Sequence, residues 1–446
     1  MRTLALVDGE HYPPVTRAAL EVAAERGHDV VAALLLGGTE KLAAGGAPPD
    51  LGVPVHLAVG ERMHALRSAI GELAPDAILD LSDEPVLGYR ERMELVAVAL
   101  AACVPYLGAD FRIDPPEEGP PLSVPTLAVI GTGKRTGKTA IAGSVARLAA
   151  RRGLHPVVVA MGRGGPPEPT VAPAGSVDLE HLVRLVAAGQ HAASDYLEDA
   201  VTTGVTTVGA RRAGGGLAGA PYASNVREAA ELAASLAPGL VILEGSGSAI
   251  PPVPWDAGVL VAPATVPGEY LGGYLGPYRL LRSDLVVVTM ASDPSGSENL
   301  SELRSPVRRY LDDAAFIVTD FVPVPLEDIR GKEAFFTTTA PPAVVEGSIG
   351  RLEADHGCTV VGWSTRLADR AGLAEDLDGV QGYDVLLTEL KAAAVDTAVA
   401  KALDRGAEVV FVDNRAEATE GSVDLDTALG GVIDTALGRA GTRRIP

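Results

Sequence analysis

The feature that most constrains this chain is Gly131-Thr132-Gly133-Lys134-Arg135-Thr136-Gly137-Lys138-Thr139. It follows the apolar run Thr126-Leu127-Ala128-Val129-Ile130 and precedes an apolar helical pattern reaching about Ala150. A strand, a glycine-rich turn and Gly-Lys-Thr opening a helix make a phosphate-binding loop. Glycines let the backbone curl so that several N–H groups point inward, and the helix N-terminus adds its positive end. Lys138 is expected to reach the β- and γ-phosphates as a mobile charge, and Thr139 to offer its hydroxyl to Mg²⁺. The nucleotide-binding stretch is therefore Gly131, Thr132, Gly133, Lys134, Arg135, Thr136, Gly137, Lys138, Thr139 and Ala140. The chain has no Asn-Lys-x-Asp guanine-reading motif, so ATP is the expected nucleotide.

A length of 446 residues favours two or three domains. The expected fold class is α/β: a P-loop NTPase-like parallel sheet core, with a Rossmann-like α/β domain before it and an α/β segment after it. Strand-like and helix-like patterns alternate over 1–113, as in βαβ units. Residues 114–124, which begin Asp114-Pro115-Pro116-Glu117-Glu118-Gly119, are too rich in proline and charge to pack and are read as a linker. The P-loop core is placed at 125–322, with near-continuous Val/Ile/Leu runs that suit strands buried on both faces. A C-terminal α/β segment occupies 323–446, and its pattern leaves open whether it continues the core sheet.

The net charge of -21 argues against nucleic acid as a partner, because phosphate backbones need a positive surface. It leaves room for a small anion, since a few cations in a cleft set the local potential. Two cysteines, Cys103 and Cys358, make neither a disulfide framework nor a metal motif. No apolar run is long enough for a spanning helix, so no membrane role is expected. The opening Met1-Arg2-Thr3-Leu4-Ala5-Leu6-Val7-Asp8 reads as a strand rather than a secretion signal, so a cytoplasmic location is expected.

Ligands gather at the carboxyl ends of strands in an open parallel sheet, and several candidates sit there. Glu244 ends the run Leu240-Val241-Ile242-Leu243 and is expected to serve Mg²⁺ beside Thr139, because a carboxylate there needs a cation nearby. Arg163 follows Val157-Val158-Val159-Ala160 and suits bidentate phosphate binding. Lys138, Glu244 and Arg163 form the expected catalytic set. For an anionic substrate the candidates are Asp8, Glu10 and His11 after the first strand, and His191 in a polar stretch. Arg211 and Arg212 before a glycine run, Lys391 after Thr388-Glu389-Leu390, and Arg415 after Asp413-Asn414 complete them. No residue stands out as a general base.

The loop pattern Gly131-Thr132-x-x-x-x-Gly137-Lys138-Thr139 resembles that of dethiobiotin synthetase and the cobyric acid synthases, which also carry a Glu-Gly pair like Glu244-Gly245. A more specific resemblance is to the cyclic 2,3-diphosphoglycerate synthetase family. It is carried by the P-loop, by Val7-Asp8-Gly9-Glu10-His11-Tyr12-Pro13-Pro14-Val15-Thr16-Arg17 and by His191-Ala192-Ala193-Ser194-Asp195-Tyr196-Leu197-Glu198-Asp199. Asp328-Ile329-Arg330-Gly331-Lys332 and Phe335-Phe336-Thr337-Thr338 add to it, so the matches span nearly the whole chain. The resemblance implies an ATP-dependent ligase, acting with Mg²⁺ and as a homodimer. It would convert 2,3-diphosphoglycerate to its cyclic phosphoanhydride, with release of ADP and phosphate. The alternatives are a dethiobiotin-synthetase-like enzyme activating another small carboxylate or phosphate, and a regulatory P-loop NTPase.

Overall fold

The computed structural model describes residues 1–38, 48–294, 296, 298–312, 315–419 and 423–443. The chain forms two compact units. One comprises Met1–Glu117 with Gly268–Arg282 and Ser305–Tyr310, and the other holds the remainder.

In the first unit, six strands lie in the order Val55–Leu57, Asp29–Leu35, Arg2–Val7, Ala77–Asp80, Tyr106–Leu107 and Arg112–Ile113. All neighbours are parallel except the last pair. Chain order reverses between Arg2–Val7 and Ala77–Asp80, the switch point of a Rossmann-like sheet. Leu4, Ala5 and Leu6 are fully buried, as expected of a central strand covered on both faces. The helix Tyr89–Ala101 buries a continuous stretch from Glu94 to Leu100. Glu94 is kept tolerable there by an ion pair with Arg309 at 2.6 Å.

The second unit is built on one large sheet. Its parallel core runs Thr206–Ala213, Val157–Gly162, Val241–Glu244, Thr126–Gly131, Ala257–Pro263, Leu285–Thr289 and Phe316–Pro325. The C-terminal segment continues the same sheet. Glu408–Ala418 pairs antiparallel with Phe316–Pro325, and Val385–Thr388, Glu333–Thr337 and Thr359–Ser364 follow in parallel. The sequence suggests strand ends near Asp320 and Asp413, but both strands run on. They continue because their overhanging halves pair with each other, from Thr319↔Ala418 to Pro325↔Val412. Pro323 and Pro325 are tolerated because Leu326 N donates to Phe411 O at 2.9 Å, so every second residue bonds across and the prolines fall on the alternate, non-donating positions.

Because this one pairing is antiparallel, the carboxyl ends of the core strands and of the C-terminal strands are directed toward each other. The P-loop helix Lys138–Arg151 and the final helix Leu425–Arg443 share one face of the core strands, and Ile141, Val145, Leu429 and Ile433 are buried between them. Asp256 ties the start of the P-loop strand to this final helix. It accepts from Thr126 N and Thr126 Oγ1, both at 2.9 Å, and from Arg443 at 2.6 Å. Replacing Asp256 with Ala leaves a buried N–H and a guanidinium unpaired, with an expected loss of about 2–4 kcal/mol. Asp426→Ala, which breaks an exposed pair with Arg151, is expected to cost at most about 1 kcal/mol. Urea denaturation of both variants checks this; equal midpoints would count against the tie.

Candidate nucleotide and phosphate site

The P-loop strand ends at Gly131, and the loop turns into the helix at Gly137, whose φ is +86°. Two of its glycines are demanded by geometry. A Cβ on Gly137 would stand 2.4 Å from the Phe321 ring, and one on Gly131 would stand 2.9 Å from Lys138 Cδ. Lys138 therefore folds back over its own loop, donating to Gly133 O at 2.7 Å and Thr136 Oγ1 at 3.1 Å. Thr289 Oγ1, two strands along the sheet, holds the loop by donating to Thr136 O. Lys134 and Arg135 are exposed. Thr132 N bonds to Val261 O, while its hydroxyl is buried without a partner.

Around this loop the structure gathers carboxylates. Thr139 Oγ1 donates to Glu244 Oε1 at 2.7 Å. The helix Asp195–Thr203 brings Asp195, Glu198 and Asp199 to the same place, since residues three and four apart share a helix face. Glu244 and Asp199 are 4 % and 1 % exposed and face each other, and apart from that contact Glu244 Oε2 and both Asp199 oxygens find no hydrogen-bond partner. Burial first, then a neighbouring carboxylate, raises the pKa of both: the Glu244 charge acts on Asp199, and the Asp195 charge on Glu244, while the contact with Asp199 holds Glu244 down. Burial pushes Glu198 up to about 8 against the pull of Lys391. Asp195 lies at the rim, with Oδ2 3.3 Å from where a Gly162 Cβ would stand, and the protein packed around it raises its pKa as well.

Cations face this cluster. Lys391 lies 3.2 Å from Glu198. Burial works against its charge, but the Glu198 and Glu389 carboxylates outweigh it and raise its pKa. Glu389 is itself buried and accepts from Asn414 at 2.8 Å and from the Thr339 hydroxyl at 2.8 Å. Arg147, on the P-loop helix, pairs with Asp413 at 2.9 Å, and Arg415 shares that carboxylate at 3.1 Å. A small cavity opens between Thr139, Ala140, Glu198, Lys391, Asp413 and Asn414. Arg163 is exposed, and its guanidinium meets that of Arg212 over Gly247, in the turn after Glu244. His191 lies against Gly164, where a Cβ would stand 3.5 Å from its ring.

Of the sequence-derived candidates, Lys138, Thr139, Glu244, Arg163, Arg212, His191, Lys391 and Arg415 thus belong to one unit, around the carboxyl ends of its strands. Arg211 is exposed, and strand alternation turns it to the opposite face from Arg212. Asp8, Glu10 and His11 belong to the first unit, at its switch point. There Asp8 is buried and fully engaged, accepting from Glu10 N, from His11 Nδ1 at 2.9 Å and from Asp83 N at 2.7 Å. It clamps the loops after two strands. The helix that follows begins at Pro13 without a side-chain cap. Sequence reasoning passes over Asp195, Glu198, Asp199, Arg147 and Glu389. The three acids are readable from their i, i+3, i+4 spacing, whereas Arg147 and Glu389 acquire their meaning only from the antiparallel seam.

The residues fit a Mg²⁺–triphosphate. A hydroxyl and buried carboxyl groups supply hard oxygen ligands, and outside the Glu244–Asp199 contact three of those oxygens have no partner. Among the described residues no group of three or more His, Cys, Asp or Glu forms a metal cage. That suits an ion that takes one or two protein oxygens and completes its shell with water and phosphate.

Comparison with known proteins agrees along the whole chain. Three family models match in order: the N-terminal domain of cyclic 2,3-diphosphoglycerate synthetase over residues 2–114, its P-loop domain over 126–319 and its C-terminal domain over 325–415. A protein of Rubrobacter xylanophilus named cyclic 2,3-diphosphoglycerate synthetase is 49% identical over 418 residues, covering 93% of this chain and 94% of that one. One of the same name from Methanothermobacter thermautotrophicus is 41% identical, covering 99% and 98%. Among solved structures, LpxK from Aquifex aeolicus in complex with ATP aligns with 70% of this chain and 90% of its own at 14% identity. Its TM-score is 0.39, too weak a likeness to argue from.

The electrostatics of Lys138 give a pH dependence. Burial lowers its pKa to about 8, against the pull of Glu244 and Asp195. Phosphate binding favours the charged form, so affinity for ATP is full below about pH 8 and falls as pH rises through that value, with proton uptake on binding. Calorimetry between pH 7 and 9.5 reads both. Lys138→Met is expected to bind weakly and without this slope; an unchanged slope in the variant would assign it to another group.

Proposed function

The chain belongs to the cyclic 2,3-diphosphoglycerate synthetase family, and from that premise we propose that it is an ATP-dependent ligase closing the intramolecular phosphoanhydride of 2,3-diphosphoglycerate. The observation that carries this reading is the ordered match of all three family segments, together with a P-loop whose lysine, threonine and strand-end glutamate converge.

The chemistry balances in two displacements. A phosphate oxygen of 2,3-diphosphoglycerate attacks the γ-phosphorus of ATP, and the bond to the β-phosphate oxygen breaks to release ADP. An oxygen of the neighbouring substrate phosphate then attacks the phosphorus that was activated. Inorganic phosphate leaves and the cyclic anhydride closes. Phosphate dianions are already nucleophilic, so positioning and charge neutralisation carry most of the rate. Lys138 exchanges its bonds to Gly133 O and Thr136 Oγ1 for the β- and γ-phosphates. The loop N–H groups and the helix N-terminus cradle the same oxygens. Thr139 and Glu244 would hold Mg²⁺, which supplies further charge neutralisation on the β- and γ-phosphates. Asp199, which faces Glu244, would hold that carboxylate in place toward the ion.

The same reading includes a homodimer, on the strength of the family resemblance, and a cytoplasmic location, where ATP is made. Purified protein incubated with Mg²⁺, ATP and 2,3-diphosphoglycerate should give a new phosphoanhydride signal in ³¹P NMR. ADP and phosphate should accumulate in equal amounts, and Lys138→Ala should give none of these. ATP consumption without the anhydride signal would move the reading to another acceptor.

A further inference from the structure

We propose that Arg163 and Arg212, converging over Gly247, form a clamp for a phosphate group of the acceptor, so that this clamp rather than the P-loop selects a diphosphorylated substrate. This deepens the ligase reading above and rests on it.

The geometry is specific. A Cβ placed on Gly247 would lie 2.8 Å from Arg163 Nη2 and 3.1 Å from Arg212 Nη2. Two guanidinium groups therefore reach the same point, and a side chain at 247 would fill it. The backbone there has φ +61°, a conformation glycine adopts freely. Like charges held this close call for an anion between them. Neither arginine makes an ion pair with a carboxylate among the described residues. Arg92, Arg147, Arg366 and Arg439, in contrast, all do.

Arg212 is instead fixed by neutral acceptors, Ser246 O at 2.7 Å, Gly214 O at 2.8 Å and Ser246 Oγ at 3.2 Å. Its Nε remains buried with no partner. A guanidinium oriented by backbone oxygens keeps its full charge for a ligand, and an unpartnered buried donor is costly unless a ligand supplies the acceptor. Asp195 is the carboxylate whose field both arginines share with Lys138, and it forms no ion pair with either.

The charges of both arginines are felt at Lys138, but their strands are set to one side of the P-loop. In the sheet, the strand bearing Arg163 lies two strands from the P-loop strand and the strand bearing Arg212 lies three, with Val241–Glu244 between. At roughly 4.8 Å per strand, their backbones stand about 10 and 14 Å to one side of the loop that cradles the triphosphate. They reach back only as far as the turn after Glu244. That is where an acceptor must stand to attack the γ-phosphorus in line from outside. His191, over Gly164, adds a further hydrogen-bonding group on the same side.

The test is the binding of 2,3-diphosphoglycerate and, separately, of a non-hydrolysable ATP analogue to the full chain, measured by calorimetry with Mg²⁺ present. Arg163→Met is the first variant, because that side chain is exposed and the fold does not lean on it. Gly247→Ala is the second. Loss of one charged phosphate contact should weaken 2,3-diphosphoglycerate by about tenfold or more in each, while the ATP analogue stays within roughly twofold. Retained analogue binding also shows that each variant is folded. An equal loss for both ligands would assign the arginines to the nucleotide and overturn the proposal, as would unchanged binding of 2,3-diphosphoglycerate. A wild-type protein that binds the analogue but no 2,3-diphosphoglycerate would instead remove the substrate assignment itself, and the clamp with it.

Discussion

The hydrogen bond from Thr139 to Glu244 is the contact on which the rest of the site depends. It joins the first turn of the P-loop helix to the end of the adjacent strand at 2.7 Å, with Glu244 almost wholly buried. A carboxylate in that position is stable only if something positive or protic faces it. Thr139 satisfies one oxygen and Lys138 supplies a field, but beyond each other the second oxygen and the Asp199 carboxyl have no hydrogen-bond partner. The protein thus holds a deficit of positive charge beside the P-loop, which the raised pKa values of Glu244 and Asp199 register.

That deficit is shaped by the antiparallel seam between Phe316–Pro325 and Glu408–Ala418. Without the inversion, the carboxyl ends of the C-terminal strands would face away from the P-loop. With it, Lys391 arrives beside Glu198, and Asp413 beside Arg147 of the P-loop helix. Each contact is an ion pair between residues almost two hundred positions or more apart, partly shielded from water, where charges interact more strongly than at a surface. Lys391 is directed at carboxylates on two sides. Through Glu198 it ties the Asp195–Thr203 helix to the C-terminal strands. The seam also carries Phe321, whose ring occupies the space that a Cβ on Gly137 would need. The loop's shape is thus enforced from the C-terminal segment as well as by its own glycines.

How much of this is legible in the sequence differs residue by residue. The P-loop is fully readable, because its physics is local: a glycine turn, a lysine and a helix start are contiguous. Glu244 is readable because an acid that ends a buried apolar run must face a cation or a donor. The helix Asp195–Thr203 is visible as a polar stretch, but its sequence draws the eye to His191 rather than to its three acids. Arg211 and Arg212 look equivalent in sequence, and only the alternation of an actual strand separates the exposed one from the one held at Ser246. The continuation of strands through Pro323 and Pro325 is hidden for a physical reason. Proline reads as a strand terminator unless one knows which N–H groups the neighbouring strand requires, and that depends on a register set by residues some ninety positions later.

An acidic chain that handles a polyphosphate and a diphosphorylated acid looks paradoxical at a net charge of -21. The resolution lies in partners rather than totals. At physiological ionic strength, charges beyond about 8 Å through solvent are largely screened, so a ligand responds to its immediate surroundings. Across much of this protein the arginines are paired with Asp or Glu, and such pairs present little net field. Lys138 and Arg212 are oriented by carbonyl and hydroxyl oxygens, which fix geometry without cancelling charge, and Arg163 stands beside Arg212 with no carboxylate paired to it among the described residues. The carboxylates nearby are gathered beside the P-loop helix and Glu244, and the unpaired guanidiniums lie over the turn beyond it. Separating the two kinds of charge by one strand-end turn lets a single cleft recruit both a cation and an anion. This division, and not the overall charge, decides what the protein can bind.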